Sequence, residues 1–184
     1  MSSVWHSIAP ERVQPQDFLA VIEIPAGSRK KYELDKQSGC ILLDRILHTA
    51  THYPANYGFL PRTLGDDGDP LDVLVLCAEA LEPLCLVQCR PIGVIVMRDG
   101  GRNDEKIIAV PLHDPTYSFY TDISQLPPHI LAEMQHFFSV YKALEGRETV
   151  VDELRRRPEA ERVIRAALAA YRAAFPEPSG PAGR

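Results

Sequence analysis

The hydrophobic pattern changes its period part-way along this chain of 184 residues, and that change limits the possible folds most. Over residues 18–111, short apolar or alternating runs are separated by Gly, Pro and Asp, which is typical of a β-barrel or β-sandwich. After Pro127, apolar residues recur at steps of three and four, as they do in amphipathic helices. The sequence therefore predicts a mainly β fold with added helices, in the α+β class.

Six strands are predicted in the first part of the chain. The longest is expected to bulge or bend near Pro91 and Gly93, because proline cannot donate a hydrogen bond to a neighbouring strand. Gly39 is expected to supply the positive φ of a hairpin turn. The predicted strands span residues 18–24, 31–35, 40–44, 72–77, 84–97 and 106–110.

Two main helices are predicted in the second part. The first begins at Pro127 or Pro128 and ends at Gly146, since proline suits a first helical turn and glycine suits a C-terminal cap. The second spans residues 158–175 and is expected to pack across the β-structure. The length fits a single domain, assigned to residues 1–175, and the Pro- and Gly-rich residues 176–184 are predicted to be a disordered tail.

The charge and hydropathy patterns argue against nucleic acid and membrane partners. The formal net charge is -5, so no basic surface is expected that could hold a phosphate backbone. No apolar run approaches the roughly eighteen residues of a membrane span, and residues 1–17 lack the apolar segment of a signal peptide. We therefore expect a protein that neither spans a membrane nor is exported.

The cysteines indicate a reducing compartment. Cys40, Cys77, Cys85 and Cys89 form no CxxC pair, and most lie in apolar runs where a free thiol behaves as a small hydrophobic side chain. A cytoplasmic location fits this pattern best. A zinc site built on Cys85 and Cys89 is the alternative.

The most informative segment is the acidic turn at residues 66–72, which leads directly into an apolar strand. Solvated acidic turns are common and usually carry no chemistry. Gly68 and Pro70 would fix this turn, however, and Asp72 adjoins an apolar strand interior, where an uncompensated charge is costly. Because several carboxylate oxygens converging on one point suit a hard cation such as Mg²⁺, the segment predicts a divalent metal site.

Further polar groups are scattered through the same part of the chain. The acidic segment at residues 99–106 is expected to join two antiparallel strands as a hairpin loop. Glu23 shares a strand face with Leu19 and Val21, where it either faces a site or prevents edge-to-edge aggregation. Candidate phosphate-binding groups are Lys31, Arg45, Tyr53, Tyr57, Lys106, Tyr141 and Lys142, each of which taken alone could equally be a surface charge or a core aromatic residue.

Together, these segments resemble soluble family I inorganic pyrophosphatase. The most specific segment is Asp67-Gly68-Asp69-Pro70-Leu71-Asp72, and the resemblance covers about residues 18–145, in the family's order and approximate spacing. The other matching segments are Val21-Ile22-Glu23-Ile24-Pro25, Lys31-Tyr32-Glu33, Asp44-Arg45, Tyr53-Pro54-Ala55-Asn56-Tyr57-Gly58, residues 99–106 and Tyr141-Lys142.

The resemblance implies a fold, an activity and an assembly. The expected fold is an OB-like five-stranded β-barrel with two main helices packed outside and an active site in the barrel mouth. The expected activity is hydrolysis of inorganic pyrophosphate to two phosphates, by a metal-activated water attacking in line, with several Mg²⁺ ions in each active site. The resemblance also implies a homo-oligomer, with a hexamer favoured.

The resemblance further implies a role for individual residues. Asp69 is expected to take the proton from the attacking water, and Glu33 and Tyr53 to support the site. The expected metal ligands are Asp67, Asp72, Asp99, Asp104 and Glu23. The expected phosphate-binding residues are Lys31, Arg45, Tyr57, Lys106, Tyr141 and Lys142.

Two segments depart from the family pattern. Residues 100–103 are less acidic than is common in the family, although the spacing of Asp99 and Asp104 is kept. Residues 146–154 do not follow the family's usual basic, Trp-containing segment.

Two other functions compete with the pyrophosphatase interpretation. One is a cation-binding or oligonucleotide-binding module on the same barrel with catalysis lost, although the acidic balance and the single Trp argue against an oligonucleotide. The other is a zinc protein that uses His48 and His52. Release of phosphate from pyrophosphate with and without a chelator separates the three.

Overall fold

The computed structural model describes residues 3–147 and 149–176, with the side chain of Arg102 left out of the description. The predicted tail at residues 176–184 therefore lies outside the described residues, apart from Pro176. The described strands are β1 (Phe18–Ile24), β2 (Lys30–Leu34), β3 (Ile41–Ile46), β4 (Asn56–Phe59), β5 (Asp72–Val75), β6 (Leu86–Asp99), β7 (Arg102–Asn103), β8 (Lys106–Pro111) and β9 (Thr149–Arg156).

Three α-helices accompany these strands in the described part of the chain: α1 (Val4–Ser7), α2 (Pro128–Val140) and α3 (Arg157–Ala174). The boundaries of α3 agree with the prediction to within a residue. The predicted first helix was too long at its C-terminal end, because the chain leaves α2 after Val140 and forms a separate 3-10 turn at Ala143–Glu145. Gly146 ends that turn with φ 68°, so the predicted glycine cap closes the 3-10 turn rather than α2.

Five strands close into a barrel. The sheet runs in the order β1-β4-β5-β8-β6, and pairing of β1 with β6 completes the ring. β9 extends the sheet from β6, and β7 pairs with the end of β6. Strands β2 and β3 form a separate two-stranded hairpin. The predicted α+β class, five-stranded barrel and two main helices are therefore confirmed; the assignment of residues 1–175 to one domain stays a prediction.

Both faces of β5 are buried, which explains its unbroken apolar sequence. Val73 and Val75 belong to a core cluster that includes Ile164 of α3. Leu74 belongs to a second cluster that includes Phe138 of α2. Because alternate residues of a strand point to opposite faces, the two helices cover opposite faces of this strand. The first residue of β5, Asp72, lies at the boundary of this apolar core.

The two predicted backbone irregularities are present. The pairing of β6 with β8 shifts register between Pro91 and Gly93, which is the expected bulge. Gly39 has φ 76° in the turn between β2 and β3. A third constraint was not predicted: a Cβ on Gly58 of β4 would lie 1.8 Å from the carbonyl oxygen of Val21, so only glycine lets β1 and β4 approach.

Candidate active site

Neighbouring strands bring an acid and a base together at one end of the barrel. β5 and β8 pair in parallel, and Asp72 and Lys106, the first residue of each, are partners in that register. The side chain of Lys106 is only 2% exposed. Its ammonium group donates to Asp72 at 2.7 Å, to Asp104 at 2.8 Å and to the hydroxyl of Tyr57 at 3.2 Å. This buried ammonium therefore joins two carboxylates and a phenol.

The surroundings of Lys106 favour its charged form. Burial alone would lower the pKa of this ammonium, but the carboxylates of Asp72 and Asp104 outweigh it and hold the pKa well above its ordinary value. Burial raises the pKa of the Tyr57 hydroxyl well above its ordinary value, and the charges of Asp72 and Asp104 add to that effect. Tyr57 is therefore a neutral hydrogen-bond donor at neutral pH.

Other lysines pair with further carboxylates of the site. Lys142, which follows α2, contacts Asp99 at the end of β6. Lys36, in the turn between β2 and β3, contacts Asp69. Lys31 of β2 contacts Glu33 and lies 3.3 Å from Asp44. Seven carboxylates and four lysines therefore line one opening, so carboxylate groups remain in excess there.

Glu23 is the most deeply buried acid of the group. Its side chain lies among the packed residues of β1 and accepts a hydrogen bond from the backbone N–H of Leu34 at 2.7 Å. Burial, together with the nearby charge of Asp72, raises the pKa of Glu23 to about 8, and the Leu34 N–H opposes that rise only in part. A cation placed beside Glu23 would favour its ionised form.

All but two of the predicted site residues line one cavity of about 320 Å³. The predicted residues in its wall are Glu23, Lys31, Glu33, Tyr57, Asp67, Asp69, Asp72, Asp99, Asp104, Lys106, Tyr141 and Lys142. An adjoining cavity of about 380 Å³ shares three of these carboxylates and is lined by Asp67, Asp99, Gly100, Asn103 and Asp104.

Arg45 and Tyr53 are not part of the cavity wall. Arg45 turns to Glu145, which its Nε contacts at 2.8 Å, and to its neighbour Asp44. Tyr53 is a buried core residue, with ring centroids 5.3 Å from Tyr57 and 4.8 Å from Phe137. Tyr53 thus packs against Tyr57 within the core, and the supporting role expected of it stays a prediction.

Lys36 and the apolar part of the cavity wall were not predicted from the sequence. Lys36 lies in a hairpin turn, where an isolated lysine gives no signal, and only the fold brings it to Asp69. The other wall residues without a prediction are Tyr32, Leu34, Phe59 and Pro70.

The donor set fits a hard cation, although ammonium groups lie among the carboxylates in this structure. Within residues 3–147 and 149–176, no three His, Cys, Asp or Glu side chains meet in a geometry that could hold a metal ion. The predicted metal ligands are nevertheless all carboxylates around a common opening, and oxygen donors of this kind are what Mg²⁺ prefers. The chemistry of these donors therefore fits Mg²⁺, while in this structure lysine ammonium groups neutralise part of the charge that a cation would neutralise.

Within the described ranges, 3–147 and 149–176, the structure forms no zinc centre of the kind considered as an alternative. Cys40, Cys77, Cys85 and Cys89 are free thiols, and of these only Cys89 is buried. Neither the cysteines nor His48 and His52 belong to a metal-binding group among the described residues.

Comparison with known proteins decides the family. The family model for inorganic pyrophosphatase matches residues 20–172. The chain belongs to the inorganic pyrophosphatase family. It is 51% identical to soluble inorganic pyrophosphatase 2 of Chlamydomonas reinhardtii over 170 residues, which are 92% of this chain and 88% of that protein. The predicted family and enzyme class are therefore confirmed.

Solved structures of inorganic pyrophosphatases share the fold of this pyrophosphatase. The structure from Thermus thermophilus superposes with a TM-score of 0.88 at 40% identity, covering 92% of this chain and 99% of that one. The structure from Helicobacter pylori superposes with a TM-score of 0.84 at 44% identity, covering 87% and 96% respectively. Among the residues described for this pyrophosphatase, no helix is both long and apolar enough to span a membrane.

Proposed function

We propose that this inorganic pyrophosphatase hydrolyses pyrophosphate to two phosphates in the cavity at the barrel mouth, with Mg²⁺ as its cofactor. The observation that carries the proposal is the convergence of five aspartates and four lysines on one opening, formed by elements far apart in sequence. Pyrophosphate is a polyanion, so carboxylates alone would repel it, whereas carboxylates that hold divalent cations would attract it.

The aspartates are the proposed holders of the cofactor. Asp67, Asp72, Asp99 and Asp104 would bind Mg²⁺, and Glu23, the most deeply buried of these acids, would complete the set of ligands. Bound Mg²⁺ would neutralise the charge of pyrophosphate and act as a Lewis acid toward the attacking water. The metal dependence implied by the family resemblance agrees with this donor set.

Asp69 is the proposed proton acceptor. It lines the cavity, and its side chain is 55% exposed, so a water molecule can reach it. Its backbone N–H donates to the side chain of Asp67 at 2.9 Å, which fixes the turn that presents both acids. A carboxylate placed this way can take the proton of a water as that water attacks phosphorus. No nucleophilic side chain is required.

Cationic and phenolic side chains are the proposed anion-binding groups. Lys31, Lys106 and Lys142 each contact a carboxylate in this structure and can donate instead to phosphate oxygens when substrate enters. Tyr57 and Tyr141 add hydroxyl groups to the same wall. Arg45 would have to leave Glu145 to join them, since it does not line the cavity here. Donors aimed at the departing phosphate stabilise the charge that grows on it during reaction.

The metal requirement gives the first test. We expect phosphate release from pyrophosphate with Mg²⁺, loss of that release with EDTA, and strong suppression by Ca²⁺, because Ca²⁺ takes more ligands at longer distances than Mg²⁺. Phosphate release is measured colorimetrically across a Mg²⁺ titration. Comparable turnover with Ca²⁺ alone contradicts the proposed geometry. Cation binding without any phosphate release indicates instead a barrel that has lost catalysis.

The exposed apolar residues support a homo-oligomer, and we propose a hexamer. Leu42, Leu43 and Ile46 of β3 are 58%, 49% and 46% exposed, and Leu144 is 70% exposed. Apolar side chains grouped in this way are typical of surfaces that other chains cover. Light scattering coupled to size exclusion should give about six times the 20.5 kDa mass of one chain. A monomer mass at micromolar concentration contradicts this proposal.

The proposed location is the cytoplasm. All four cysteines are free thiols, which agrees with a reducing compartment.

A further inference from the structure

Lys36 lies at the rim of the cavity, in a turn that several hydrogen bonds close. The carboxylate of Asp35 accepts hydrogen bonds from the backbone N–H groups of Gln37 and Ser38, each at 3.2 Å. The backbone N–H of Gly39 donates to the carbonyl of Asp35 at 2.8 Å. Because side-chain and backbone groups both close this turn, the position from which the Lys36 side chain starts is fixed.

The ammonium of Lys36 lies over an aromatic ring that belongs to a distant segment. Its Nζ is 5.1 Å from the ring centroid of Trp5, a separation that permits a cation–π interaction. Trp5 is only 4% exposed, and its indole N–H donates to the carbonyl of Thr63 at 2.9 Å. The ring is therefore a rigid support for the ammonium.

The same ammonium contacts Asp69, whose loop is tied back to Thr63. The hydroxyl of Thr63 accepts the backbone N–H of Leu71 at 2.8 Å, and the N–H of Gly65 donates to the carbonyl of Asp69 at 2.7 Å. The ammonium of Lys36 thus joins Trp5 to Asp69. Thr63 holds both sides, because it accepts hydrogen bonds from the Trp5 ring and from the loop of Asp69. The backbone of Asp69 is fixed by the loop, and its carboxylate is oriented by Lys36.

We propose that Lys36 is a positioning residue that holds the Asp69 carboxylate in the orientation needed to accept a proton from water. The inference rests on the proposed function, in which Asp69 is the proton acceptor. An exposed aspartate side chain otherwise samples several rotamers, and small losses of orientation at a reacting group reduce its rate. The pair is about half exposed, so its contribution is modest. Lys36 acts through Asp69 and does not contact phosphate.

A double-mutant cycle tests this assignment. Lys36→Met should lower kcat by about two- to fivefold, with little change in KM, and Lys36→Arg should restore most of the loss. In an Asp69→Asn background, Lys36→Met should have no further effect, because the group that it positions is gone. Equal effects of Lys36→Met in both backgrounds, or a raised KM, would overturn the proposal and indicate direct contact with substrate.

The matched control is Lys30→Met, the same substitution in the same hairpin. Lys30 is exposed and does not belong to the cavity wall, so kcat should be unchanged. An equal loss in Lys30→Met would show that the net charge of the hairpin matters rather than the contact of Lys36 with Asp69.

The single tryptophan of the chain gives a second readout that does not depend on activity. In protein without added metal, Lys36→Met should change the emission of Trp5, because the charge over the ring is removed. Asp69→Asn should also change that emission, since it releases the ammonium from its second contact. Unchanged emission in both variants would contradict the arrangement.

The outcomes separate this inference from the proposed function. If Asp69→Asn keeps full activity, the assignment of the proton acceptor fails, and the inference fails with it. If Asp69→Asn is strongly impaired but Lys36→Met acts additively with it, only the role of Lys36 is wrong.

Discussion

Asp69→Asn should lower turnover by about 10² to 10⁴ while Mg²⁺ affinity changes little. Asparagine keeps the shape of the side chain and one oxygen, but it cannot accept the proton of the attacking water. Asp69 differs from the buried acids of the site because its side chain is 55% exposed and makes its ion pair at the cavity rim. Turnover is measured by phosphate release across a Mg²⁺ titration, and metal binding by calorimetry.

Two further variants show whether this loss is specific to proton transfer. Asp66→Asn makes the same chemical change in the same acidic turn, but Asp66 faces Asn103 rather than the cavity, so activity should be nearly unchanged. Asp72→Asn removes a proposed metal ligand, so some activity should return at high Mg²⁺. If high Mg²⁺ rescued Asp69→Asn instead and failed to rescue Asp72→Asn, the two roles would have to be exchanged.

Lys106→Met should destabilise the metal-free protein by about 2–4 kcal/mol. Removing one partner of a fully buried ion pair typically costs about 3–5 kcal/mol, and the partial exposure of Asp72 and Asp104 reduces that figure. Methionine nearly preserves the length of the side chain, so the loss comes mainly from two carboxylates that no longer share a cation. The free energy of unfolding is measured by urea denaturation.

Added Mg²⁺ should restore part of this stability. A ligand that binds only the folded state stabilises it in proportion to the logarithm of its concentration, and Lys106→Met leaves two carboxylates without a competing ammonium. Lys30→Met again serves as the control, because its loss of charge occurs at an exposed position. If Lys106→Met has the same free energy of unfolding as the wild type, solvent already stabilises the charges of Asp72 and Asp104 without the lysine.

Strands with a strong apolar pattern were predictable from the sequence. The strands that were not predicted lack such a pattern, for physical reasons. β1 was predicted at its observed bounds because its sequence is an apolar run interrupted by one charged residue, Glu23. β4 has four residues, including Gly58, which is selected for a close backbone contact rather than for strand propensity. Four of the eight residues of β9 are charged and none is fully buried, so its sequence gives little indication of a strand. Its place is set by pairing with β6 and by packing of Val151 and Leu154 against the core beside α2.

The acids of the site were predictable from the sequence because several lie in one short motif. Which basic side chain contacts which acid was not predictable. The contact of Lys36 with Asp69 spans 33 residues and depends on the placement of a hairpin turn. Arg45 shows the reverse case, since its motif predicted a phosphate contact and the fold turns it to Glu145. The choice between partners depends on distances that only the assembled barrel and hairpin define.

The close approach of β1 and β4 also determines how this cavity could be re-engineered for larger substrates. Residue 58 lies between Tyr57 and Phe59, both of which line the cavity, yet any side chain there would overlap the carbonyl oxygen of Val21. A randomised library at that position would lose its folded members before substrate preference could be screened. Diversity is better placed on the hairpin side of the opening, at Tyr32, a wall residue that is only partly buried.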